Sequence, residues 1–164
     1  VSIYNFRIIF SNLRCFFRKI FKFQNFIIIN MLMRWKKEYS VKVKEIDIQH
    51  KKIFVLINDL NKAIINKNFS ETLRKIIDGL VDYSIYHFET EEKYFKKFNF
   101  EYSDEHKKEH ESFKKKITEI IKKIDNNEME ISFELVDFLE DWIINHVTGS
   151  DQKYIQCFQE NGLK

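Results

Sequence analysis

Five histidines occur in this 164-residue chain, at positions 50, 87, 106, 110 and 146. His87 and Glu91 are four residues apart, as are His106 and His110, and on a helix that spacing stacks two side chains on one face. The apolar residues Leu73, Ile76, Ile77, Leu80, Phe88, Phe95 and Phe98, with the small Ser84, recur at helical spacing on the side that carries His87 and Glu91. An imidazole and a carboxylate are therefore aimed at a core, where burial is costly unless the groups are paired or bind a metal. A lone inward histidine is usually a satisfied core residue. Five of them, joined by Glu91 and Asp151, point to metal chemistry.

The elements that must position these groups are helices. The chain holds 17 Phe but only 3 Gly and no Pro, which argues against an all-β fold and for long helices with short connections. Residues 34–46 read as an extended arm with alternating apolar residues. Asp47 is expected to cap a first helix that runs to about Asn66 with His50, Ile53, Ile57, Leu60 and Ile64 on one face. After a turn at 66–70, Ser70 would cap a second helix to about Lys97. Ser103 would cap a third, whose inward face is His106, His110, Phe113, Ile117, Ile120, Ile121 and Ile124. The pattern breaks at 125–128, and a fourth helix from about Ile131 to His146 carries Leu135, Leu139, Trp142, Ile143 and His146 inward. A short helical tail follows Gly149, with Asp151, Tyr154, Ile155 and Phe158. The expected fold is an all-α, up-down-up-down antiparallel four-helix bundle with an N-terminal arm and a C-terminal helical tail.

Connectivity then fixes the height of each ligand. Measured from the opposite end of the bundle, His50 stands roughly 24 Å up, His87 roughly 26 Å, and His110 and His146 roughly 22 Å. His106 is one turn further along, and Glu91 and Asp151 join the layer from the second and fourth helices. Five imidazoles and two carboxylates exceed what one tetrahedral zinc needs and suit two ions of higher coordination. If both carboxylates bridge, the side chains supply nine of twelve octahedral positions and a shared oxygen fills two more. One position is left for a small molecule, and with these ligands iron and dioxygen are the natural pair.

The pattern resembles bacterial hemerythrin over residues 33–155. The matching residues are Trp35, the run Ile46-Asp47-Ile48-Gln49-His50, His87-Phe88-x-x-Glu91-Glu92, His106-x-x-x-His110 and Trp142-x-x-x-His146-x-x-x-x-Asp151. HxxxH or HxxxE alone would be weak; the combination is specific. The resemblance implies that residues 34–164 form a non-haem diiron domain with two iron ions, ferrous or ferric, joined by an oxo or hydroxo bridge. By that likeness His106, His110 and His146 hold one iron, His50 and His87 hold the other, Glu91 and Asp151 bridge, and the two-histidine iron keeps the open position. The implied activity is reversible O2 binding for storage, delivery or sensing, rather than catalysis. The alternative is a diiron enzyme, or a protein that handles nitric oxide or peroxide. Ile53, Phe88, Trp142 and Ile143 are the expected walls of a dry O2 pocket, and Tyr154 is expected either to donate to a ligand from an exposed tail or simply to pack. Two positions depart from the family pattern: Lys42 stands where a Gly is common, and Phe95 where a Met is common.

Charge and cysteine content limit the other function classes. Residues 1–33 hold five basic groups and no acid; the remainder holds 23 basic against 25 acidic groups, so nucleic-acid binding has no electrostatic support there. Residues 1–33 read as an N-terminal extension: a start-codon artefact or poorly ordered tail, a basic membrane-surface helix, or an extra helix on the bundle. It lacks a spanning apolar run, so membrane contact is expected only through this segment. Cys15 and Cys157 form no CxxC pair, which makes a reducing cytoplasm the default. The oligomeric state is not legible in the sequence.

Overall fold

Helical periodicity in the sequence is realised as four long helices. They are α1 (Lys44–Ile65), α2 (Glu71–Phe98), α3 (Ser103–Asp125) and α4 (Phe133–Asn145). The structure, a computed structural model, describes residues 32–65, 71–126 and 133–164, and no strand occurs among them. The extension expected at 1–33 lies outside the described residues except for its last two. So do the turn at 66–70 with its Ser70 cap and the expected start of the fourth helix at Ile131. The fold is an all-α antiparallel four-helix bundle, in which α2 packs against α1 and α3, and α4 against α1.

Each helix buries one apolar stripe. Ile53, Ile57 and Leu60 from α1, Leu80 and Phe88 from α2, Phe113 from α3, and Leu139 and Ile143 from α4 are all essentially inaccessible and form one core. Each such side chain contributes about 1.5–3 kcal/mol by leaving water.

A smaller core closes the end of the bundle where the histidines lie. It joins Val41, Val43, Ile46, Phe95, Phe100, Tyr154 and Phe158. Two helix ends are folded into it by the same device. Asn99 (φ 52°) follows α2 in the left-handed region, and the Phe100 N–H returns to the Phe95 carbonyl at 3.0 Å. Gly162 (φ 86°) does the same after the terminal helix α5 (Ile155–Glu160), with Leu163 N–H on the Phe158 carbonyl at 3.0 Å. Both are Schellman turns, which swing an apolar residue back over the last helical turn.

Three local expectations are corrected. Asp47 does not cap α1, which begins three residues earlier at Lys44. Its carboxylate instead accepts the Val41 N–H (2.9 Å) and the Ser40 hydroxyl (2.5 Å), fastening the arm to the first turn. The arm is not wholly extended, since Lys37–Tyr39 form a 3-10 turn. It is tied down by the Asn58 amide, which pairs with both the N–H and the carbonyl of Met33 at 2.9 Å each. Ser103 is the first residue of α3 and Tyr102 holds the cap position, with no side-chain capping bond. Within the arm, Lys42 has φ 61°, a left-handed conformation that glycine adopts without strain.

The last correction concerns the site. The fourth helix ends near the expected His146, but no break separates it from the tail beyond Gly149. The chain continues through a π-helical turn, His146–Ser150, and a 3-10 turn, Asp151–Tyr154, into α5. No helix among the described residues is long and apolar enough to cross a membrane.

Candidate metal centre

Every one of the seven predicted ligand side chains points into the bundle. His50, Glu91, His110 and Asp151 are fully buried, and His87, His106 and His146 are at most 3% exposed. α1 supplies His50, α2 supplies His87 and Glu91, α3 supplies His106 and His110, and the π turn and its successor supply His146 and Asp151. In an α-helix residues five apart are about 140° out of register. The π turn closes that gap: the Asp151 N–H bonds to the His146 carbonyl, and the i→i+5 ladder brings both side chains to one side.

The seven groups fall into two overlapping sets, Glu91 with His106, His110 and His146, and His50 and His87 with Glu91 and Asp151. Within each set the donor atoms lie within 4.8 Å of one another. The carboxylates face both ways. Glu91 Oε1 lies 3.6 Å from His87 Nε2 and 4.0 Å from His50 Nε2, while its Oε2 lies 3.1 Å from His110 Nε2 and 3.3 Å from His106 Nε2. Asp151 Oδ2 lies 3.1 Å from His50 Nε2, and its Oδ1 lies 3.2 Å from His146 Nε2 and 3.4 Å from His106 Nε2. Each carboxylate thus offers one oxygen to each half of the site.

These inward atoms are otherwise unsatisfied. Nε2 of His50, His106, His110 and His146, Glu91 Oε2 and both Asp151 oxygens are buried and accept or donate no hydrogen bond. At roughly 1–3 kcal/mol per unmet group, so many orphans would undo a small core. Cations between them remove the deficit, and the donor set fits non-haem metal ions of high coordination.

Three of the outward nitrogens are engaged instead, while His50 Nδ1 is buried without a partner. His87 Nδ1 is 2.9 Å from Gln49 Oε1, His110 Nδ1 is 2.9 Å from Glu92 Oε1, and His146 Nδ1 is 2.7 Å from Glu109 Oε2. The other Glu109 oxygen accepts the Ser150 hydroxyl at 2.6 Å. An acceptor at Nδ1 places the proton there and leaves the Nε2 lone pair facing the metal site. Gln49, Glu92 and Glu109 were not predicted in this role. Gln49 and Glu109 each stand beside a ligand in sequence, and Glu92 follows Glu91, but each pairs across helices, which spacing along one helix does not reveal.

Protonation follows from burial and neighbours. Burial pushes His87 down to about 3, against the pull of Glu91, so its imidazole is neutral and able to ligate. Burial alone would raise Glu91, but the surrounding imidazoles of His87, His106 and His110 hold it well below the usual carboxylate range. Tyr154 does not sit on an exposed tail: it is fully buried, and its hydroxyl donates to Glu91 Oε1 at 2.6 Å. Burial, with Asp151 and Glu91 nearby, keeps that phenol protonated.

Aromatic rings pack around the imidazoles. Phe88 stacks on His110 (centroids 3.8 Å apart, 11° between planes) and meets His87 at 5.6 Å, and Trp142 stacks on His146 (4.2 Å, 19°). Ile53 and Ile143 lie in the main apolar core. Trp35 stands 6.3 Å from His50, and Phe95 sits edge-on to His106 at 4.8 Å.

A family model, the hemerythrin HHE cation-binding domain, matches residues 41–158. Bacteriohemerythrin of Clostridium acetobutylicum is 33% identical over 125 residues, covering 74% of this chain and 97% of its own length. A hemerythrin-like protein of Naegleria gruberi is also 33% identical, over 120 residues, covering 73% and 88%. Among solved structures, a wild-type hemerythrin crystal structure superposes with a TM-score of 0.73 at 33% identity, covering 77% of this chain and 97% of that one.

Proposed function

Since this chain belongs to the hemerythrin family, we propose that it binds dioxygen reversibly at a pair of iron ions held by residues of its 34–164 domain. His106, His110 and His146 hold one ion, His50 and His87 hold the other, and Glu91 and Asp151 span the two. The observation that carries this reading is the split of both carboxylates, each with one oxygen toward the three-histidine set and one toward the two-histidine set. Bound there, two irons would supply the electrons that dioxygen takes up and returns on release.

The residues do the rest. Three imidazoles with one oxygen from each carboxylate would hold one ion, and two imidazoles with the other carboxylate oxygens would hold its neighbour; the smaller donor set there would leave room for a diatomic molecule. Gln49, Glu92 and Glu109 hold three of the rings in the ligating tautomer. Tyr154 steadies Glu91 by donating to the oxygen that faces His50 and His87. Ile53, Phe88, Trp142 and Ile143 keep water out, and a dry surrounding suppresses irreversible oxidation.

Stopped-flow mixing of the reduced, iron-loaded protein with O2 tests the reading. A visible absorption band that forms on mixing and vanishes on deoxygenation is the expected outcome. Rapid decay to the ferric protein with steady O2 consumption would replace a carrier with an enzyme.

A further inference from the structure

The outward nitrogen of His87 meets a different kind of partner from those of His110 and His146. An ionised carboxylate only accepts, so Glu92 and Glu109 settle by themselves where the protons of His110 and His146 sit. Gln49 is an amide, with a carbonyl at one end and an NH2 group at the other, and either end can meet a ring nitrogen. The carbonyl end puts the His87 proton on Nδ1 and leaves the Nε2 lone pair free to ligate. The NH2 end needs a bare Nδ1, which moves the proton to Nε2 and blocks ligation there. Something beyond Gln49 has to fix which end faces the ring.

Thr90 is placed to do so. Its hydroxyl donates to the Tyr86 carbonyl, one turn back on α2, at 2.8 Å. A hydroxyl has one proton, so a lone pair is what it presents to Gln49, and Gln49 Nε2 donates to it at 3.3 Å. The amide carbonyl is thereby turned to His87 Nδ1, at 2.9 Å. The chain runs one way: His87 to Gln49, Gln49 to Thr90, Thr90 to the Tyr86 carbonyl. Gln49, His87 and Thr90 are at most 9% exposed, so water is a poor substitute for any link. The opposing pull on the ring comes from Glu91 Oε1, 3.6 Å from His87 Nε2, which is beyond good hydrogen-bond range. A ring released by Gln49 would turn its proton toward that carboxylate.

We propose that Thr90 is a positioning residue for the two-histidine half of the site: acting through Gln49, it holds the His87 proton on Nδ1 and keeps Nε2 open to a metal ion. The effect on metal binding rests on the diiron reading; the choice of ring nitrogen does not, and can be read in the metal-free protein. Thr90→Val keeps the branched shape and removes the hydroxyl. The Gln49 NH2 group then lies buried without its acceptor, and turning the amide end for end regains one at His87 Nδ1.

The test is an NMR spectrum correlating ring nitrogens with ring carbon protons, recorded near neutral pH on the metal-free full chain labelled at its histidines. The two tautomers give distinct patterns, and the signal lost in His87→Gln identifies the ring. Wild-type His87 should carry its proton on Nδ1. Thr90→Val should shift it toward Nε2, and Thr90→Ser should restore the wild-type pattern. His110, whose partner can only accept, should keep its tautomer throughout. Chelator competition on the iron-loaded proteins should find one of the two ions held roughly tenfold more weakly in Thr90→Val, with recovery in Thr90→Ser. A wild-type His87 protonated at Nε2 overturns the proposal. So does an unshifted Thr90→Val spectrum, even if metal is lost, because Thr90 would then act only in packing. In either case a reversible oxygen spectrum would leave the oxygen reading standing. A tautomer shift in a protein that takes up no iron would fail the oxygen reading and leave the role of Thr90 in place.

Discussion

Tyr154 and Glu91 are 63 residues apart in sequence, yet the Tyr154 hydroxyl donates to Glu91 Oε1 at 2.6 Å in a fully buried setting. The bond ties the helical tail to the middle of α2 at the carboxylate shared by both halves of the site. Tyr154→Phe removes the donor and leaves a buried carboxylate oxygen without a partner. The metal-free variant should lose about 1.5–3 kcal/mol, the range for a hydrogen bond to a charged group. Urea denaturation of metal-free protein measures this, and an unchanged midpoint would contradict it.

Two of the three carboxylate or amide partners of the histidines serve the three-histidine half. Glu109→Gln keeps an acceptor at His146 Nδ1 but removes the charge that makes the ring a better donor. The metal in that half should be held roughly 10-fold or more weakly, the usual loss when such a partner is removed. Competition with a chelator gives the number. Glu92→Gln should act in the same direction through His110.

Acid should destabilise the metal-free protein in a defined window. His87 titrates near 3 in the fold against 6.5 in the unfolded chain, so between those values the unfolded state binds more protons. Stability therefore falls as pH drops through the window, by up to about 1.4 kcal/mol per pH unit. Glu91 and Glu109 act with the same sign at lower pH. Their folded values lie below 4.5, that of Glu109 at about 2 because His146 bonds to it, and their contribution is lost as pH falls toward those values. His146 acts at the other end. Burial lowers it, but Asp151 and Glu109 overcome that and raise it, so its contribution is present below 6.5 and lost as pH rises through its folded value. Melting temperatures of metal-free protein should peak near neutrality and fall steeply below pH 6; a flat profile from pH 4 to 7 would refute this.

Lys42→Gly relieves a left-handed residue in the arm. The strain is about 1–2 kcal/mol, offset in part by the greater freedom of glycine in the unfolded chain. A net gain of about 1 kcal/mol is expected in urea denaturation, with metal content unchanged. A loss of stability would mean that the Lys42 side chain contributes something its exposed position does not show.

The fold and the convergence of the seven donors were legible because both rest on local spacing. His87 with Glu91, and His106 with His110, need only the helical repeat, and short connections set the common height. Three features were hidden for physical reasons. The π turn at His146 is a departure from regular helix that no periodicity encodes, and without it Asp151 would face elsewhere. Gln49, Glu92 and Glu109 act across helices, so their partners are a property of packing rather than of sequence neighbourhood. Asp47 looked like a cap because acids favour helix starts, but its carboxylate reaches back to Val41 and Ser40, and the helix begins without it.

In the proposed centre Glu91 and Asp151 each span two metal ions. Iron quantitation on wild type and on Glu91→Ala, with visible spectra recorded with and without air, tests it most directly. About two irons per wild-type chain are expected, with a band that comes and goes with oxygen, and loss of the paired site together with the band in the variant. A single zinc in the wild type, or full two-iron loading in Glu91→Ala, would contradict it.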